Sequence, residues 1–207
     1  MIAIIDYGAG NLGSVHKAFR HLGADVIVTD DPRVVARAHK LVLPGVGAFA
    51  HCMGGLESIE MARATKDFID SGRPFLGICV GLQMLFDYSE EMGRSPGLSV
   101  LNGGVVRFSP DGRDGERLKI PHMGWNTLNI REDSVLFRGL AQQERVYFVH
   151  SFYPIPDDNA LVSATSEYGV EFCCAVERDN LHAVQFHPEK SGEAGLRILR
   201  NFANITT

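Results

Sequence analysis

Four short apolar runs, at residues 2–6, 25–28, 40–43 and 74–78, alternate with stretches of helical period in the first half of the chain. Between residues 11 and 22 the apolar positions are Leu12, Val15, Ala18, Phe19 and Leu22, spaced for one face of a helix. Residues 32–38 read as a short helix, 56–69 as a longer one closed by Gly72, and 82–86 as the start of another. Repeated strand–helix units can bury their faces only as a largely parallel sheet covered on both sides. The second half differs. Short strand candidates lie at 100–108, 127–130, 146–149, 161–164, 172–176 and 182–186, with turn-prone segments at 109–112 and 154–158. That pattern predicts an antiparallel extension of the sheet, and residues 192–204 close the chain as an amphipathic helix. No repeat or linker divides the sequence, so residues 1–207 read as a single domain.

Composition narrows the function. With 20 Lys+Arg against 25 Asp+Glu the net charge is −5, and no basic block is present to neutralise phosphates, so nucleic acid is not the expected partner. The longest apolar stretch, residues 75–86, contains Gln83 and two glycines and is shorter than the roughly 20 residues a bilayer span needs. The opening Met1-Ile-Ala-Ile-Ile-Asp6 has no basic flank and does not read as a signal peptide. Four cysteines, Cys52, Cys79, Cys173 and Cys174, show no CxxC spacing. Neither a disulfide scaffold nor structural zinc is expected, and a reducing cytoplasm fits.

Gly8-Ala-Gly10-Asn-Leu-Gly13 matches GxGxxG, with Asp30 and Asp31 downstream, the written form of a dinucleotide fingerprint. A tight strand-to-helix turn needs the same glycines. The chain offers no second domain for a hydride-transfer substrate, so the turn is preferred and no cofactor is expected.

Gly77-Ile-Cys79-Val-Gly81, placed between an apolar strand and a helix start, has the form of a nucleophile elbow with cysteine as nucleophile. It would set the sulfur at the C-terminal edge of the sheet and at a helix N-terminus, whose partial charge favours thiolate. Of eight histidines, His187 stands out in Gln185-Phe-His-Pro-Glu-Lys-Ser191. In extended chain, residues two apart share a side. Glu189 could then hold one imidazole nitrogen while the other meets Cys79, completing a nucleophile–base–orienter set. Leu43-Pro-Gly-Val-Gly47 follows a strand ending at the same edge. The N–H of Val46 or Gly47, with that of Val80, could receive an oxyanion.

These three motifs together resemble the class I, triad-type glutamine amidotransferases. Gly77-Ile-Cys-Val-Gly-Leu-Gln83 is similar to the family's nucleophile motif and His187-Pro-Glu189 to its His/Glu motif. The resemblance extends over Ile5-Asp-Tyr-Gly-Ala-Gly-Asn-Leu12, Ile120-Pro-His-Met-Gly-Trp-Asn126 and Tyr147-Phe-Val-His-Ser151. The last two stretches favour the branch that feeds a cyclase of histidine biosynthesis over sister glutaminases serving other acceptors. Phe152 stands where Tyr is common, and Cys173-Cys174 is a local departure; neither belongs to the triad. The resemblance implies a flavodoxin-like α/β fold and hydrolysis of L-glutamine to glutamate and ammonia, with no metal or other cofactor. It further implies a heterodimer with a (β/α)8-barrel cyclase subunit. By the same resemblance Gln83, Glu91 and Ser151, with Gly47 nearby, hold the glutamine α-amino and α-carboxylate groups. Trp125, Tyr147 and Lys190 face the partner.

Overall fold

The computed structural model describes residues 1–111 and 117–206; Gly112, the last residue of the turn expected at 109–112, lies outside them. The chain order is β1 (Ile2–Ile5), α1 (Leu12–His21), β2 (Val26–Thr29), α2 (Pro32–Val35), β3 (Lys40–Gly45), α3 (Phe49–Ser58), α4 (Met61–Asp70), β4 (Phe75–Cys79), α5 (Val80–Gln83), β5 (Phe86–Ser89) and β6 (Ser95–Pro96). Then come β7 (Leu101–Arg107), β8 (His122–Thr127), β9 (Asn129–Ile130), β10 (Arg145–His150), β11 (Phe152–Pro156), β12 (Val162–Tyr168), β13 (Val170–Arg178), β14 (Leu181–Val184) and α6 (Gly192–Ala203).

The main sheet has the order β2-β1-β3-β4-β14-β13-β12-β9. Its first five strands are parallel and the rest antiparallel, so the α/β fold with an antiparallel extension is as expected. β1 and β4 are buried along their whole length, as strands with helices on both faces must be. α1 packs against α6, with Phe19 and Phe202 edge to face at 6.2 Å, and α4 packs with α2 and α3. A two-stranded ribbon, β8–β10, and a smaller sheet, β11-β7-β5-β6, complete the described residues.

Four local readings need correction. The helix expected at 56–69 is two helices, α3 and α4, broken at Ile59 and Glu60, where Glu60 has φ +56°. The helix expected from 82 is a single turn, α5, followed by β5. An unbroken apolar run looks the same in a buried helix and a buried strand. Residues 154–158 were expected as a turn, yet Pro154 and Pro156 belong to β11. That strand is the edge of its sheet, where a missing N–H costs no ladder bond. The strand expected at 127–130 is the end of β8 plus β9. β8 buries His122 and exposes Met123 and Trp125, an inversion of the usual apolar-in pattern that hides it from periodicity.

His122 and His150 lie in an aromatic cluster with Phe108, Phe148 and Phe172, His122 Nδ1 and His150 Nε2 being 3.0 Å apart. Burial drives His122 down to about 4 and His150 down to about 3. The unfolded chain takes up those protons near pH 6.5, so it binds more of them than the native chain as pH falls, and stability declines with acid. The urea midpoint is expected to be level above pH 6.5 with respect to these rings and to drop between pH 6.5 and about 4. Imidazole resonances followed by NMR check this; a ring titrating near 6.5 in the native chain would contradict it.

Candidate active site

The C-terminal ends of three neighbouring parallel strands, β3, β4 and β14, meet at one edge of the main sheet. β3 and β4 are in register so that Gly45 pairs with Cys79, and the chain beyond β14 runs through Gln185 to His187. Cys79 has φ +57° and ψ −111°, outside the allowed basins for an L-residue, a bend that costs on the order of 1–3 kcal/mol. The glycines on each side make it sterically feasible. A Cβ at Gly77 would come within 2.8 Å of the Gly81 carbonyl oxygen, and one at Gly81 would overlap the Leu43 carbonyl oxygen.

His187 is buried. Its Nδ1 is 2.9 Å from Glu189 Oε1, and the Glu189 side chain is fully enclosed. The route to that contact differs from the extended-chain expectation. His187 is extended (φ −102°, ψ +95°), but Pro188–Lys190 forms a 3-10 turn that brings the carboxylate back to the ring. The turn is pinned by Ser191, whose hydroxyl donates to the His187 carbonyl at 2.6 Å and accepts from the Tyr147 N–H at 3.0 Å. His187 Nε2 has no hydrogen-bond partner, while the Cys79 sulfur is close enough to act on the ring. The two groups therefore sit near one another on the same cavity. Burial alone would lower the imidazole's basicity; the Cys79 sulfur and the Glu189 carboxylate outweigh it and raise His187 to about 10.

One cavity of about 260 Å³ is lined by Cys79, His187, Val46, Gly47, Val80, Gln83, Glu91 and Ser151, together with Pro121, Val149, His150 and Phe152. Every expected nucleophile, base, oxyanion and substrate residue is thus on one wall or another of the same space, with Glu189 behind His187. Trp125, Tyr147 and Lys190 lie outside that lining. The Trp125 and Tyr147 rings meet edge to face at 6.1 Å, on paired positions of β8 and β10, and Lys190 is exposed.

The loop after β3 is held from three sides. The Tyr7 hydroxyl donates to the Pro44 carbonyl at 2.7 Å, Cys52 Sγ donates to the Val46 carbonyl at 3.4 Å, and Glu91 Oε2 accepts from the Phe49 N–H at 2.6 Å. Burial pushes both the Tyr7 phenol and the Cys52 thiol up, so they stay protonated donors. Gly47 has φ +99° with open space around a would-be Cβ: its conformation, not crowding, requires glycine. Cys52 carries no motif signal in the sequence, and Tyr7 lies in the Ile5–Leu12 stretch of the resemblance with no role assigned to it there. The glycines of the first motif, Gly8 at φ +82° and Gly10 at φ +126°, turn β1 into α1, and the Asp31 carboxylate is engaged with Arg33 and the start of α2. The turn reading accounts for both.

Residues 3–205 match the family model of class-I glutamine amidotransferases. The imidazole glycerol phosphate synthase subunit HisH of Syntrophotalea carbinolica is 55% identical to this chain, over 99% of this chain and 100% of that one. The HisH of Geobacter metallireducens is 54% identical over 98% and 97%, and that of Methanothermobacter thermautotrophicus 52% over 99% and 98%. Among solved structures, a glutamine amidotransferase aligns over 99% of this chain with a TM-score of 0.74 at 17% identity. The PurLQS structure from Thermotoga maritima aligns over 98% with a TM-score of 0.71 at 18% identity.

Proposed function

This chain belongs to the class-I glutamine amidotransferase family, and from that premise we propose how its cavity works. The chain is the glutaminase subunit of an imidazole glycerol phosphate synthase, which releases ammonia from L-glutamine for histidine biosynthesis. The observation that supports the residue roles is the sharing of one cavity by Cys79 and a His187 ring whose far nitrogen is held by Glu189 at 2.9 Å.

In this reading His187 takes the thiol proton and the sulfur attacks the side-chain amide carbon of glutamine. The Val80 N–H, with that of Val46 or Gly47, receives the oxyanion; loss of one such donor costs about 3 kcal/mol. The imidazolium, held at its far nitrogen by Glu189 at 2.9 Å, carries the proton it has taken until the departing nitrogen accepts it, and ammonia leaves. Water then attacks the thioester with His187 again as base, and glutamate is freed. The Gln83 amide has both its hydrogens engaged, on the Phe152 carbonyl and on Gln185 Oε1, each at 3.1 Å. Its Oε1 is therefore the group it offers, an acceptor for the substrate ammonium. Glu91 keeps one carboxylate oxygen beyond the Phe49 N–H for the same charge, and Ser151 suits the α-carboxylate.

The acceptor of the ammonia is a HisF-type (β/α)8 cyclase subunit bound as a heterodimer, using it on the ribulosyl-formimino intermediate PRFAR to yield imidazole glycerol phosphate and AICAR. The exposed Trp125, the half-buried Tyr147 against it and the exposed Lys190 supply its docking face beside the cavity. A direct route matters because free ammonia is largely protonated at neutral pH and then is not a nucleophile. Co-purification with the cyclase subunit, with glutaminase assayed with and without cyclase ligand, tests this. A stable complex with ligand-stimulated turnover is expected; turnover indifferent to the cyclase would overturn the partner assignment. Glu189→Gln is expected to lower kcat by about 10- to 1000-fold while leaving KM for glutamine nearly unchanged, less than removal of the nucleophile, because only ring orientation and charge are weakened. A loss equal to that of Cys79→Ala would contradict the orienting role.

A further inference from the structure

We propose that Gln185 is a further catalytic residue of this site: its side-chain amide donates a hydrogen bond to the Cys79 sulfur and holds it as thiolate. This rests on the reading of Cys79 as the nucleophile.

The backbone carbonyl of Phe152 can only accept. It receives Gln83 Nε2 at 3.1 Å and His150 Nδ1 at 2.8 Å. Gln83 must therefore turn its NH2 group toward Phe152. The second hydrogen of that NH2 goes to Gln185, 3.1 Å away, which must meet it with oxygen. Because an amide is planar with oxygen on one side and nitrogen on the other, Gln185 then presents its NH2 to Cys79, at 3.7 Å from Sγ. Flipping either glutamine would set two oxygens or two NH2 groups face to face in a buried space, where an unpaired polar group costs about 1–3 kcal/mol. The backbone N–H of Gln185 is itself fixed on the Cys174 carbonyl at 2.8 Å, and its side chain is fully buried. The orientation of this donor is thus dictated by the protein's own hydrogen-bond chain and is present before substrate arrives.

The sulfur needs it. The helix that follows the elbow is the single turn α5, whose dipole is far smaller than that of the longer helix expected from the sequence. The ionisable groups nearest the sulfur are His187, Tyr7 and Cys52, with Glu189 behind His187 and Glu91 on the same cavity. The Tyr7 hydroxyl and the Cys52 thiol donate to the Pro44 and Val46 carbonyls, and both carboxylates only accept. Of these ionisable groups only His187 is left to donate to a negative sulfur, and Gln185 adds a neutral side-chain donor at 3.7 Å. A neutral donor that cannot lose its proton stabilises the thiolate before it attacks, and again when hydrolysis of the thioester releases it.

The test is alkylation of Cys79 by iodoacetamide as a function of pH, resolved by peptide mass mapping, on the full chain and its Gln185→Met variant, which keeps volume and removes the donor. The pH midpoint of alkylation is expected to move up by about one pH unit, with a rate about tenfold lower at pH values below the wild-type midpoint, where the thiolate fraction changes tenfold per pH unit. kcat for glutamine should fall in parallel, with KM within about twofold. A second measurement needs no variant: in the wild-type chain the Gln185 side-chain amide proton resonance should shift at the alkylation midpoint and lose that transition in Cys79→Ala. A superimposable pH profile in Gln185→Met, or a pH-invariant Gln185 amide, would overturn the role of Gln185 and leave Cys79 as nucleophile. Retained glutaminase activity in Cys79→Ala would overturn both.

Discussion

With Cys79 replaced by alanine, glutamine turnover is expected to fall by at least about 10⁴-fold, the scale on which loss of a nucleophile acts, while ammonium salts still support synthesis by the complex. The two halves of that result separate chemistry from assembly. The alanine keeps the Cβ and hence the strained bend at φ +57°, so the chain should fold and bind its partner as before. Only the proposed attacking atom is gone. Because His187 and the rest of the cavity lining remain, any residual rate measures what positioning alone achieves. Steady-state glutaminase assay beside an ammonia-dependent assay of the complex checks both halves. Loss of ammonia-dependent synthesis as well would point to failed assembly instead of lost chemistry.

Gly81→Ala is expected to destabilise the chain by about 3 kcal/mol or more, and to disable the site in whatever fraction folds. The new methyl would overlap the Leu43 carbonyl oxygen, and that oxygen belongs to a central strand buried on both faces. No flexible side chain is available to yield, so either α5 or β3 must move, and Cys79 lies between them. Gly13→Ala is the matched control. Gly13 lies in α1 with nothing within 4 Å of a would-be Cβ, so helix propensity alone should make that variant neutral or up to about 1 kcal/mol more stable. Urea unfolding of the two variants gives the comparison, and equal midpoints would show that the elbow is looser than its packing implies.

The parts of this site that are local in sequence were the legible ones. The elbow glycines sit two positions from Cys79, and Glu189 two from His187, so their spacing announces their chemistry even though the second pair is joined by a turn instead of extended chain. The strand–helix alternation likewise foretold the parallel half of the sheet. What escaped is long-range or inverted. Gln185 lies 102 positions from Gln83 and 106 from Cys79; no periodicity links them, and only the meeting of β14 with β4 does. β8 hides a histidine and displays a tryptophan, because its inner face combines imidazole hydrogen bonds with stacking on aromatic rings. β11 carries prolines that a central strand would reject but an edge strand accepts.

The pairing of Gly45 with Cys79 across two adjacent strands has a bearing on redesign. The backbone proposed to receive the oxyanion and the backbone that carries the proposed nucleophile are two jaws on one hinge. A Cβ on Gly45 would press within 2.8 Å of Val80 Cβ and 2.9 Å of the Tyr7 hydroxyl, so neither jaw can be re-angled without the other. Grafting this chemistry onto a different scaffold, or widening it for a bulkier acyl group, therefore calls for transplanting both strand tails together with the tyrosine that braces them.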